Sequence, residues 1–91
     1  MDERELNILI ENELYRYILA LSDDKIEKVT LERIEEGILY FLIQHEDVNK
    51  RQRKIIIEKI WKMFQNKNKN LLAISKEDYE KATDKIEGFE I

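Results

Sequence analysis

The densest set of metal-binding residue types in the chain is His45-Glu46-Asp47, one imidazole followed by two carboxylates. Consecutive residues at a helix end point in different directions, so these three do not converge on one ion. A histidine near a helix C-terminus, favoured by the end dipole, is the simpler reading of His45. Residues 66–77 carry oxygen-bearing side chains at positions 1, 3 and 5 and a glutamate at position 12, the skeleton of a calcium-binding loop. The skeleton fails on charge and geometry: Leu71 stands where the turn needs glycine, Asn66, Asn68 and Asn70 replace carboxylates, and Lys67 and Lys69 add positive charge. Glu32, Glu35 and Glu36 lack the Glu-x-x-His spacing of a diiron site and read as a solvated helix face. Ser22 and Ser75, the two serines, occupy capping positions with no histidine nearby in sequence. Zero cysteines and a single histidine remove thiolate sites, disulfides and paired imidazole acid-base chemistry. Carboxylate pairs of the glycosidase kind need a cleft that so small a helical chain rarely forms. The expectation is a protein that is not an enzyme, with no catalytic residues, no cofactor and no metal.

What the chain has in excess is unevenly placed charge. Residues 1–48 hold 13 acidic and 5 basic side chains, residues 49–69 hold 1 and 8, and residues 70–91 hold 6 and 3. At 100° per residue the segment from residue 50 places Arg51, Lys54 and Lys62 on one outward arc, Lys50 and Lys59 at its margins and Trp61 at the seam with the core. A basic face edged by an aromatic suits phosphate contacts and base stacking, so a nucleic-acid partner is the alternative reading. The favoured reading is that these cations solvate an exposed face and pair with the acidic first half, because the acid excess elsewhere repels a polyanion.

Apolar surface is in excess too. Ile8, Tyr15 and Leu19 recur at spacings of seven and four on the side of the first helix opposite its main stripe, a second seam that a surface helix does not need. That seam is the candidate protein interface, either with a foreign partner or with a second copy in a symmetric homodimer.

The elements that carry these faces are helices. No proline and only two glycines leave the chain without the turn chemistry of a sandwich or barrel. The box-like starts Asp2-x-x-Glu5, Asn49-x-x-Gln52 and Ser75-x-x-Asp78 predict helices over about 3–21, 50–65 and from 75 to near Gly88, read as a left-handed cap. In the first, Leu6, Ile10, Leu14, Tyr17 and Leu21 make the core stripe; in the third, Ile56, Ile57, Ile60, Met63 and Phe64 do. Thr30 precedes a helix over 31–45, where Leu39, Tyr40 and Ile43 extend the apolar surface nearly round the cylinder and demand a central position. A strand over Gly37–Ile43 has no alternating partner to pair with. Ile74 and Tyr79 sit where a hydrophobic staple would fix the last helix, whose thin stripe of Tyr79, Ala82 and Ile86 predicts a largely solvated lid.

The fold expected is all-α, a small four-helix bundle of three main helices plus a short C-terminal one, in a single domain over 1–91. No apolar run approaches the ~20 residues that span a bilayer, and the acidic start lacks the features of a signal peptide, so no membrane partner and a cytoplasmic location are expected. A protein-binding module that regulates or inhibits a partner protein is the function these features favour.

Overall fold

A computed structural model describes residues 1–23, 29–67 and 75–89 of the chain. It contains four helices and, among the described residues, no strand. The first, α1 (residues 3–21), has three consecutive parts: an α-helical Glu3–Leu9, a π-helical Ile10–Leu14 and an α-helical Tyr15–Leu21. Then follow α2 (Leu31–Gln44), α3 (Lys50–Lys67) and α4 (Lys76–Glu87). Gly37–Ile43 is thus helical, as the absence of a strand partner implied.

Local chemistry sets most of these boundaries. Asp2 accepts from the Arg4 amide at 2.8 Å, Thr30 from Arg33 at 3.3 Å and Ser75 from Asp78 at 3.1 Å, each satisfying a donor that the first helical turn leaves unpaired. At Asn49 the box is reciprocal: the Gln52 amide donates to Asn49 Oδ1 at 2.9 Å, and the Asn49 amide donates to Gln52 Oε1 at 3.1 Å. Ile74, half of the expected staple, lies outside the described residues, as does most of the loop compared with a calcium site.

The π turn changes the phase of α1. The Tyr15 amide donates to Ile10 O, five residues back, so one extra residue is taken up in that turn. An α-helix with one stripe would bury Leu6, Ile10, Leu14, Tyr17 and Leu21 in steps of three and four. The buried set is instead Leu6, Ile10, Leu14, Tyr15 and Ile18, followed by Ser22. The steps of four through Leu6, Ile10, Leu14, Ile18 and Ser22 stay on one side because the wider turn absorbs their drift. Tyr17 and Leu21, expected in the core stripe, are pushed to half-buried margins.

Around these side chains one hydrophobic cluster forms, joining α1 to Ile34, Ile38, Phe41 and Leu42 of α2, to Ile56, Ile57, Ile60, Trp61 and Phe64 of α3, and to Tyr79 and Ile86 of α4. The C-terminal half of α1 packs on α2, its π turn touches both α2 and α3, and α4 packs on α2 and α3. In α4 the deepest positions are Tyr79, Thr83 and Ile86, with Ala82 half-buried rather than central. Thr83 is tolerated there because its hydroxyl donates to Tyr79 O at 2.8 Å.

Close approach of α1 and α2 requires Gly37. A Cβ added there would lie 2.5 Å from Ile18 Cγ1, inside van der Waals contact, and Ile18 is fully buried with nowhere to turn. Gly37→Ala gains about 1 kcal/mol of helix propensity. Overpacking costs about 1–3 kcal/mol and wins here, because the clashing atom is not a flexible chain end. Urea denaturation should show Gly37→Ala destabilised, and combining it with Ile18→Ala, which removes Cγ1, should cost less than the sum of the two single changes.

Gly88 ends α4 with φ −95° and ψ 1°, so the left-handed cap expected from its type is not formed. Carbonyls at and just beyond this helix end are met from across the bundle by Arg53, whose Nη1 donates to Ile86 O at 3.1 Å, to Glu87 O at 3.3 Å and to Phe89 O.

Candidate interaction surfaces

Three large apolar side chains remain exposed among the described residues: Ile8 at 52%, Tyr40 at 45% and Ile43 at 49%. Tyr40 and Ile43 lie one helical turn apart on α2 and share its outward face. Tyr17 of α1 stacks on Tyr40 with ring centroids 4.6 Å apart and planes inclined by 16°. Tyr17, Tyr40, Glu13, Leu14, Gly37 and Phe41 line a shallow hollow between the helices. Phase brings Tyr17 there: displaced from the core by the π turn, it meets α2 beside Gly37, where no side chain intervenes.

Polar groups close the rim. Glu13 Oε1 lies 2.9 Å from His45 Nε2, bridging α1 to the end of α2, and the His45 ring packs against Phe41 at 4.5 Å. Arg33 and Glu36, one turn before Tyr40, form an exposed pair at 3.0 Å. His45 therefore acts as the C-cap residue of α2 and a cross-helix partner of Glu13. No cluster of three metal-ligating side chains occurs among the described residues.

The seam expected along Ile8, Tyr15 and Leu19 is not one surface. Tyr15 is buried to 9% exposure and its ring packs on Phe64 at 4.9 Å, which raises its hydroxyl pKa through desolvation. Leu19 is half-buried and lines a groove with the edge of Tyr15, Glu11, Arg16 and Met63 of α3. Ile8 stands alone on the other side of the π turn. The seven-residue spacing from Ile8 to Tyr15 holds only if the helix is uniform, and the extra residue at Ile10–Leu14 rotates the two apart. Nothing in the residue types of that turn announces a π-helical step.

The basic arc is divided as well. Lys50, Arg51, Lys54 and Lys62 are exposed, and among the described residues none of them forms an ion pair. Lys59 leans onto α1, with Nζ 3.2 Å from Glu11 Oε1 and 3.1 Å from Asn7 Oδ1. Trp61 is buried against Tyr79 at 4.7 Å, so its ring is not presented to a base. Arg53, not singled out by its position on the arc, turns inward to cap α4. Between α3 and α4 runs a cleft lined by Lys54 and Lys76 and by Glu58, Glu80, Asp84 and Glu87, opposite charges facing each other across the helix seam.

No helix among the described residues is long and apolar enough to cross a membrane. Comparison with protein-family models, with curated proteins and with solved structures finds no match for this chain.

Proposed function

We infer that the chain is a protein-binding module that regulates or inhibits a partner protein, and that it engages the partner through the α1–α2 face around Tyr17, Tyr40 and Ile43. A single observation carries this reading: Tyr40 and Ile43 keep about half their surface in water on a helix whose other apolar side is packed into the core. An aromatic and an isoleucine adjacent on one rigid helix are the side-chain types that anchor interfaces, at positions where they contribute little to the fold. Among the described residues an enzymatic role has no feature behind it beyond the lone Glu13–His45 pair. A nucleic-acid role keeps four exposed cations on α3 but lacks the stacking ring, and it predicts a steep loss of binding with salt.

Replacing Tyr40 and Ile43 together by serine tests the reading. Helicity and urea midpoint should stay near those of the parent chain, with a stability change of under about 1 kcal/mol because both side chains are already half solvated. Capture of protein partners from the source cell's lysate should be lost by this variant and retained by Ile8→Ser, which lies apart from the face. Equal capture by all three chains would reject the location.

A further inference from the structure

Resting on that reading, we propose that the partner presents a basic segment and that one of its arginines stacks over the exposed part of the Tyr40 ring at the mouth of the hollow. The stacked ring pair offers a flat π surface of which Tyr40 stays 45% exposed, and Glu13 stands in the wall of the same hollow with its side chain 44% exposed, its Oε1 against His45 and its Oε2 without a partner among the described residues. A guanidinium is planar, stacks on a phenol ring and donates in a fork to a carboxylate, so one group satisfies both features. Ile43, one turn along α2, then takes an apolar side chain of the same segment.

The wider field has the same sign. Residues 1–48, which contain both helices of the face, carry 13 acidic against 5 basic side chains. A basic segment is drawn to this side and an acidic one repelled, whereas the cations of the chain are concentrated on α3. A second copy could offer that basic helix to the hollow, and its occupancy is one result the experiment separates.

The probes are two short amphipathic peptides, one of leucine and arginine and one of leucine and glutamate, titrated into the full chain by fluorescence anisotropy and by tyrosine-ring chemical shifts. The arginine peptide should bind and shift the Tyr17 and Tyr40 resonances, and the glutamate peptide should not. Tyr40→Ala should weaken binding about tenfold, Tyr40→Phe should restore it, and Glu13→Gln should weaken it several-fold. Glu3→Gln with Glu5→Gln, which removes similar charge away from the hollow, should leave it within twofold. Arginine-peptide binding that ignores Tyr40→Ala but falls with Glu3→Gln and Glu5→Gln would mean diffuse attraction to an acidic surface and overturn the proposal. Equal binding of a lysine-for-arginine peptide would overturn the arginine seat. Binding of the glutamate peptide alone at Tyr40 would overturn the choice of a basic partner while leaving the protein-binding reading intact. Failure of both peptides, together with lysate capture insensitive to Tyr40 and Ile43, would remove both. Sedimentation of the chain by itself, if it showed concentration-dependent association lost in Tyr40→Ala, would assign the hollow to a second copy instead.

Discussion

Tyr79→Ala is expected to lower the unfolding free energy by about 3–5 kcal/mol, the largest loss of any single change considered, because a fully buried aromatic is replaced by a methyl group. Tyr79 is the residue through which α4 joins the core. Its ring lies 4.7 Å from Trp61, and its hydroxyl donates to Ile57 O at 2.7 Å, so truncation opens a cavity and also strips a hydrogen bond from a buried carbonyl. The rest of the α4 stripe is small: Thr83 and Ile86 cannot hold twelve residues against α2 and α3 alone. Urea denaturation followed by Trp61 fluorescence reads the loss directly, since the indole gains water when α4 leaves. A drop below about 1 kcal/mol would mean that α4 is held elsewhere.

The same hydroxyl sets an alkaline limit. Desolvation by burial raises the Tyr79 pKa well above the ordinary value of about 10, because the phenolate would be stripped of water in the core. The folded chain then holds this proton more tightly than the unfolded chain. Its contribution to stability is fully present below about pH 10 and is lost as pH rises through the folded value. Tyr15 acts in the same direction from a less desolvated site. Tyr79→Phe keeps the ring and removes the titration, so its urea midpoint should fall less steeply than the parent's above pH 10, although the lost hydrogen bond costs about 1 kcal/mol at neutral pH.

Helix boundaries were legible because their causes are local. Capping side chains at Asp2, Thr30, Asn49 and Ser75 act within three residues, and each leaves its signature in order along the chain. The faces were less legible because a face depends on uniform winding. One π turn in α1 displaced Tyr17 outward and Tyr15 inward, which dissolved the seam drawn through Ile8, Tyr15 and Leu19 and left α2 with the adjacent exposed apolar pair. The excess apolar character of α2 was visible in Leu39, Tyr40 and Ile43, but it argued for a fully surrounded helix. Four short helices cannot supply that many neighbours, and the uncovered remainder is Tyr40 and Ile43. On α3 the spacing alone could not distinguish a lysine facing water from Lys59 meeting Glu11, nor an arginine on the margin from Arg53 buried beneath α4, since both depend on where other helices lie.

Arg53→Met is expected to cost about 2 kcal/mol and to release α4 selectively. Arg53 is 7% exposed and its guanidinium has no carboxylate partner among the described residues; its favourable contacts are the carbonyls of Ile86, Glu87 and Phe89. Hydrogen bonds from a charged donor contribute about 1.5–3 kcal/mol, and a cation at a helix C-terminus adds about 0.3–1 kcal/mol through the dipole. Against this stands the desolvation of the charge, felt most at Nε, which is buried with no hydrogen-bond partner. Methionine relieves that cost and fills most of the volume, so the net loss is smaller than the bonds alone suggest. Of the carbonyls left behind, Ile86 O keeps a bond from the Phe89 amide at 3.2 Å, while those of Glu87 and Phe89 lose the Arg53 donor. Hydrogen exchange should therefore quicken through Thr83, Ile86 and their neighbours in α4 while α1 amides keep their protection, a local opening rather than a global one. Arg53→Lys, whose shorter side chain must bring its ammonium to the place of Nη1, should recover part of the stability at most. Uniform acceleration across all four helices would show that Arg53 supports the whole core and that α4 has no separate clamp.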